Sequence, residues 1–245
     1  MKRFYQSATV GEGGRILLDG RPVKTPGRRA LAAPTAALAE AIADEWNAQG
    51  DFVDPRAMPL TGLANAAIDR IAPDAAAFAR GLAIYGESDL LCYRADGPAP
   101  LAVRQSELWD PILAWAQQRY DVVFELAIGV IHMPQPPETL DRLGAAVAAR
   151  DPFALAGLSP LVTISGSLLI ALALADGAIS VDQAWAAATL DESWQAGQWG
   201  EDEQAAAALD EQWQAEQWGE DEEAAAALAN RRRDFEAAAR FLALL

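Results

Sequence analysis

Two adjacent phrases near the C-terminus, LDESWQAGQWGEDEQAAAA and LDEQWQAEQWGEDEEAAAA, begin at Leu190 and Leu209 and repeat with a period of 19 residues. That period constrains the fold more than any other feature of the chain. An offset of 19 residues advances an α-helix by five turns plus about 100°. On one straight helix the two copies would face different directions, so both cannot repeat the same packing. A single helix from Leu190 to Leu244 would also be about 80 Å long, far beyond the size of a domain of this length. The chain is therefore expected to bend or break near Gly197 and Gly200 or at Gly219, or to let one copy project from the body. A duplication is tolerated at a surface and resisted inside a core.

The 245 residues are enough for one large domain or two modest ones, and a hydrophobic share of 52% with 8 Trp argues against disorder. Cys92 is the sole cysteine, which excludes an intramolecular disulfide and a cysteine-based zinc site. The net charge of −16 is uneven. Residues 1–75 hold 9 acids and 9 bases (0), residues 76–189 hold 12 and 6 (−6), and residues 190–245 hold 14 and 4 (−10). Such a field repels nucleic-acid phosphates and anionic lipid and attracts basic protein surfaces, so no nucleic-acid partner is expected. The most apolar run, PLVTISGSLLIALALA from Pro160 to Ala175, is too short to span a bilayer and carries Thr163, Ser165 and Ser167. It is expected to be a buried core helix, with no membrane insertion. The start, MKRFYQSATV, has neither the apolar run of a signal peptide nor a long Arg/Ser-rich transit stretch, which points to the cytoplasm.

The N-terminal stretch reads as hairpins: RFYQSATV alternates, GEGG turns, RILL is a short strand, and Asp19-Gly20 before RPVKT is a strong hairpin signal. GEGG precedes a strand rather than a helix and so fails as a phosphate loop. Thr35 caps a helix through AALAEAIADEWNAQG, stopped by Gly50, with Leu38, Ala41, Ile42 and Trp46 on its buried face. A second helix follows in MPLTGLANAAIDR and a third at 73–82. SDLLCYR reads as a strand, and ADGPAP as the most linker-like stretch, so a boundary falls there. Beyond it VRQSELWDPILAWAQQRY forms two helices or one kinked at Pro111, VVFELAI a strand and VIHMPQPP an extended loop. ETLDRLGAAVAAR and SVDQAWAAATL are further helices, the latter opened by a Ser180/Gln183 capping box. The expected class is α+β. A strand-rich mixed domain with antiparallel hairpins covers 1–96, and a mainly helical domain covers 97–245, with the tandem duplication at 190–227.

Few residues offer chemistry. His132, the only histidine, has no second His or Cys nearby to make a metal cluster. A Cys92–His132 nucleophile pair would need an accessible thiol, whereas the strand pattern around Cys92 buries it. Glu87 and Asp89 in YGESDLLCYR could be paired carboxylates, although strand-end and cap roles are commoner. No GxSxG, P-loop or HExxH occurs, and no cofactor or nucleotide site is indicated. The repeat itself has two readings. Its tryptophans can pack inward as a core stripe, or they can anchor a partner within an acidic surface. In the first copy Leu190 and Trp194 share a helix face, and Trp199 lies about 140° further round.

The blocks FYQSATV, LDGRPVKTP, LAEAIADEW, MPLTGLANAAIDR, YGESDLLCYRA, WDPILAWA, PQPPE and LDEQWQAEQWGEDEEA resemble, in that order, the assembly chaperones for the alpha subunit of the F-type ATP synthase, the "ATP twelve" family. The resemblance covers nearly the whole chain and is to the bacterial kind. It implies a strand-rich N-terminal part, a helical C-terminal part and a non-enzymatic role: holding newly made alpha subunit until beta takes over. The family carries the E.WQ.E.WG phrase once. By position that implies client contacts at Glu211, Trp213, Gln214, Glu216, Gln217, Trp218 and Gly219. The first copy offers Glu192, Trp194 and Trp199 as equivalents, and either copy can hold the family's place. The chain is expected to act as a monomer without cofactor or metal. Two alternatives remain: a small cytosolic enzyme using the YGESDLLCYR carboxylates, and a structural scaffold.

Overall fold

A computed structural model describes residues 1–129, 131–197 and 211–245, the stretch 211–223 by its backbone alone. The N-terminal strands form a small antiparallel sheet of β1 (Ala8–Val10), β2 (Ile16–Leu18) and β3 (Arg21–Pro22) in the order β1-β2-β3. Register runs Ala8↔Leu18 to Val10↔Ile16, then Leu18↔Arg21. Asp19 and Gly20 close the β2–β3 hairpin with φ of 48° and 78°, the left-handed pair that a two-residue turn requires. The Asp19 carboxylate also accepts from the Gln6 and Ser7 amides, pinning the strand entry. Against this sheet lies α1 (Ala36–Asn47), its first turn held by Thr35, whose side chain accepts from the Leu38 amide. Leu38, Ala39, Ala41, Ile42 and Ala43 are buried along it, while Trp46 is half-buried between two apolar clusters.

The next helices are α2 (Pro59–Ala66), continued by a π-helical turn at Ala67–Ile71, and α3 (Ala75–Ala83). Two carboxylates tie this region to the first hairpin and first helix. Glu45 accepts from the Leu60 amide at 2.7 Å, the Thr61 amide at 2.8 Å and the Thr61 hydroxyl at 2.7 Å, filling the role of a cap at the α2 N-terminus. Asp69 accepts from the Thr25 hydroxyl at 2.8 Å and the Gly27 amide at 2.6 Å. KTPG and AIDR thus satisfy one another's polar groups, and MPLT is satisfied by Glu45 of α1.

SDLLCYR corrects the strand expectation. Leu90–Cys92 is a 3-10 turn, and only Tyr93–Arg94 is a strand, β4. Asp89 causes the difference, because its side chain accepts from the Leu91 amide and so closes a turn where a strand would need an outward partner. β4 pairs in parallel with β5 (Ala127–Ile128), a short pairing set within the VVFELAI segment. Between them runs α4 (Ala99–Tyr120), a single helix with Pro111 inside it. The proline removes one backbone bond, yet the helix continues because Trp109, Ile112, Leu113 and Ala116 are buried on one side.

α5 (Pro137–Ala148), α6 (Pro152–Ser165), α7 (Leu168–Ala175) and α8 (Val181–Ala188) complete the body. The apolar run expected as one helix is two, divided at Gly166 with φ 67° between α6 and α7. Ser165 and Ser167 make that break inexpensive, since the Ser165 hydroxyl donates to the Leu161 carbonyl and the Ser167 hydroxyl accepts from the Ile170 amide. α7 is buried from Leu168 to Ala173 and forms the centre of the core, as a helix apolar on all sides must. The Ser180/Gln183 capping box opens α8 as anticipated. One principal core joins Ile16, Leu38 and Leu60 with Trp109, Leu155, Leu169 and Phe235. Residues 190–197 are helical (α9), and α10 runs from Glu211 to Ala243. The backbone stays helical through Gly219, so no break occurs there. The stretch around Gly200 lies outside the described residues.

Candidate functional site

The repeat-bearing section is fixed to the body at its first copy. Leu190 is buried, and one position on Asp191 accepts from the Gln105 side-chain amide at 2.8 Å. Gln105 is itself buried and its oxygen accepts from the Ala95 amide at 2.8 Å, so a single side chain links the β4 exit, α4 and α9. Nearby, the Trp109 indole donates to the Ala187 carbonyl at 2.9 Å, fixing the end of α8. Glu192 is exposed and accepts from Arg231 of α10 at 3.1 and 3.0 Å. Trp194, one turn beyond Leu190, is half-buried. The face that starts in the core at Leu190 therefore emerges at its surface by Trp194, a position where an indole can be partly supported and partly presented.

α10 returns to the body with its C-terminal half. Phe235, Ala238, Ala239 and Phe241 are buried, the Phe235 ring meets Trp185 edge-on at 5.5 Å, and Phe241 stacks with Phe153 at 6.2 Å. Gly157 of α6 allows the close approach, because a Cβ there would lie 2.6 Å from Cγ of Leu242. Arg232 bonds Glu236 on its own helix and Asp182 at the start of α8. Every residue of 224–230, by contrast, is exposed, Leu228 included. Nearly two turns of helix therefore stand clear of the body. The positions Glu211, Trp213, Gln214, Glu216, Gln217 and Trp218 lie on the α10 backbone ahead of that clear stretch, and their side chains lie outside the described part. Trp199 lies outside the described residues altogether. Of the expected site residues, Glu192 and Trp194 have described side chains at the foot of the tail, and Glu192 is bonded to Arg231.

The residues considered for catalysis are not brought together. Glu87 is exposed, whereas Asp89 is 1% exposed, accepting from the Ser167 hydroxyl at 2.7 Å, the Leu169 amide at 3.0 Å and the Leu91 amide at 3.1 Å. Burial raises its carboxyl to about 6 despite these bonds. Its role is to hold the start of α7 against the Leu90–Cys92 turn. Cys92 is buried and burial, reinforced by the Asp89 charge, pushes its thiol up to about 12, which leaves no thiolate for nucleophilic work. His132 instead faces Tyr93, with Nδ1 2.7 Å from the phenol oxygen. Among the described residues no three His, Cys, Asp or Glu side chains could share a metal ion, and no helix is long and apolar enough to cross a membrane.

Sequence reasoning missed one surface. Val123, Leu126, Ile128, Ile131 and Met133, all in the extended stretch around β5, are exposed. Their apolar character was visible in VVFELAI and VIHMP, but it reads equally well as a buried strand, and only the fold reveals that the side chains face outward.

The body is α+β, its buried carboxylate Asp89 is bonded within the fold, and α10 stands clear of it at 224–230. Comparison with known proteins places such a body in the assembly-chaperone class. ATP12 chaperone proteins match residues 2–117. Atp12 from Paracoccus denitrificans is 43% identical, with 99% of this chain and 97% of that chain covered and a TM-score of 0.84. An aspartate-to-lysine mutant of the same Paracoccus protein gives 42% identity at the same coverage, again with a TM-score of 0.84. The Atu1473 protein of Agrobacterium tumefaciens, described as a candidate chaperone, is 42% identical over 98% of this chain and 85% of that chain, with a TM-score of 0.83. The chain belongs to the ATP12 chaperone family.

Proposed function

We propose that this protein binds the unassembled alpha subunit of the F-type ATP synthase and keeps it competent to join beta, without transforming it chemically. The observation that carries the reading is the 43% identity to Atp12 over almost the full length of both chains. Physically, an unassembled alpha subunit exposes an interface meant for beta, with apolar and basic patches prone to aggregate. The net charge of −10 on residues 190–245 attracts such a surface, and the tryptophans of the repeat supply rigid apolar anchors. Release needs only that beta bind the same surface more tightly, so neither ATP nor another cofactor is required. We assign client contact to Glu211, Trp213, Gln214, Glu216, Gln217 and Trp218 on α10, with Glu192, Trp194 and Trp199 contributing from the first copy. The exposed stretch 224–230 supports this assignment by leaving room for a partner beside α10. The protein acts as a monomer in the bacterial cytoplasm.

Capture of newly made alpha subunit by the tagged full chain tests the proposal. Glu211→Lys combined with Glu216→Lys is expected to weaken capture by about tenfold or more, as loss of charge complementarity at a central contact does. Full capture and full suppression of aggregation by that variant would remove the acidic site while leaving the family assignment intact. A scaffold would remain with completed synthase through purification, whereas a chaperone leaves before completion.

A further inference from the structure

The surface around β5 is exposed, apolar and yet firmly held. Val123, Leu126, Ile128, Ile131 and Met133 are 63%, 46%, 70%, 73% and 40% exposed. Their backbone is braced from beneath. Buried Gln135 donates its side-chain amide to the Glu125 carbonyl at 2.8 Å and accepts from the Glu125 amide at 3.1 Å, as a neighbouring strand would. The Thr139 hydroxyl donates to the Val123 carbonyl at 2.7 Å, and Ala127 is buried beneath the strand. Tyr93 and His132 join the two sides of the turn at 2.7 Å. An apolar surface held this way is already ordered before anything binds, so a partner meets little ordering cost.

The hydrogen-bonding direction follows from the ladder. Gly129 donates to the Arg94 carbonyl at 2.8 Å, with Arg94 opposite Ile128. In a parallel pair the residue between such bonds turns its own N–H and C=O to the other side. Ile128, and by alternation Leu126, therefore direct their backbone groups away from β4, and neither finds a backbone partner among the described residues. Leu126 and Ile128 also share one side-chain face, opposite buried Ala127. Protected edges carry lysine or proline. Here the residues from Val122 to Met133 include no Lys, Arg or Pro, and Glu125 is their one formal charge.

Charge decides the occupant. Residues 121–142 hold Asp121, Glu125, Glu138 and Asp141 against Arg142, a net −3, and Arg142 is already bonded to Asp121. A second copy of this chain would set Glu125 and a net charge of −16 against their likes. We propose that the free edge of β5 takes up an extended segment of a client polypeptide, alternating apolar and basic side chains, as an added strand. This rests on the client-binding reading above and gives the client a second contact, separate from the acidic tail. Backbone hydrogen bonds give it tolerance of sequence, while Leu126 and Ile128 select apolar side chains on one face and Glu125 selects bases on the other.

The test uses the full chain and a fluorescein-labelled alternating valine–lysine octapeptide, with a serine–lysine octapeptide of equal charge as control. Fluorescence anisotropy is expected to show binding of the first and not the second, and Leu126→Ser with Ile128→Ser is expected to weaken it by about tenfold or more. Both substituted side chains are exposed, so the variant's melting curve should match the parent's, which confirms that folding is intact. Slowed amide exchange at residues 125–129 on peptide addition is the positional check. No binding to the full chain, equal binding of both peptides, equal binding to the variant, or protection confined elsewhere would each overturn the proposal. Alpha-subunit capture run in parallel separates the two readings. Capture unchanged in the double variant removes the edge alone, whereas failed capture with peptide binding intact removes the client assignment alone.

Discussion

From Arg231 onward α10 sinks Phe235, Ala238, Ala239 and Phe241 into the core, whereas residues 224–230 of the same helix are exposed on every side. The difference lies in what each half has to bury. The C-terminal half places large or small apolar residues at helical spacing against Gly157, Phe153 and Trp185, so tertiary packing holds it. The exposed stretch, AAAALAN at 224–230, has good helix formers but only Leu228 as a large apolar group. It relies on backbone propensity and on the anchored end that follows it. One half serves the fold, and the other makes no contribution to the core.

The contrast breaks most sharply at its two apolar extremes. Phe235→Ala should cost about 3–5 kcal/mol, since it empties a fully buried aromatic site. Leu228→Ala should cost about 0.5 kcal/mol or less. Chemical denaturation of both variants is the measurement, and comparable losses would show that the exposed half is packed after all.

A second comparison sets a buried tie against a surface one. Asp89→Ala leaves the Ser167 hydroxyl and the Leu91 and Leu169 amides without their acceptor in the core, with an expected loss of about 2–4 kcal/mol. Its pH dependence has a definite sign. Because burial raises this carboxyl to about 6, the folded chain keeps the proton where the unfolded chain has lost it. The group's contribution is therefore full below the unfolded value of about 4 and declines as pH rises through 6. Asp89→Asn has no proton to lose, so its stability between pH 4 and 6 should lack that decline, and identical slopes in variant and parent would refute the assignment. At the other extreme, Arg231→Ala removes an ion pair with Glu192 in which both side chains are largely open to solvent. The expected cost is about 0.2–1 kcal/mol, reduced further by salt. A loss as large as that of Asp89→Ala would mean that the foot of the tail is part of the core.

Local chemistry made much of the fold legible in the sequence. Asp19-Gly20, Thr35 and the Ser180/Gln183 pair each act within a few residues, and each appears where its side chain demands. The misreadings share a cause in distant partners. SDLLCYR has strand-forming residues, but Asp89 is committed to Ser167 and Leu169, 78 and 80 positions away, and turns the chain instead. The run from Pro160 to Ala175 has uniform hydropathy, yet the polar groups of Ser165 and Ser167 favour a break that no periodicity reveals. The apolar residues around β5 were readable as apolar but not as exposed, because exposure is a property of what fails to cover them. Within KTPG, MPLT and YGESD, the Thr25, Gly27, Leu60, Thr61 and Asp89 groups are engaged in internal hydrogen bonds. For the candidate site, the Glu192 bond to Arg231 and the half-buried position of Trp194 are the described part.

The Thr35 hydroxyl, at the start of α1, bonds the Leu244 carbonyl across 209 positions of chain. That bond fastens the last turn of the chain to the first helix, and the same turn seats Leu242 and Phe241 beside Gly157. The terminal turn is thus a clasp: cutting it away would strip the cover from an apolar wall, whereas a cut in the clear stretch upstream would leave the clasp fastened.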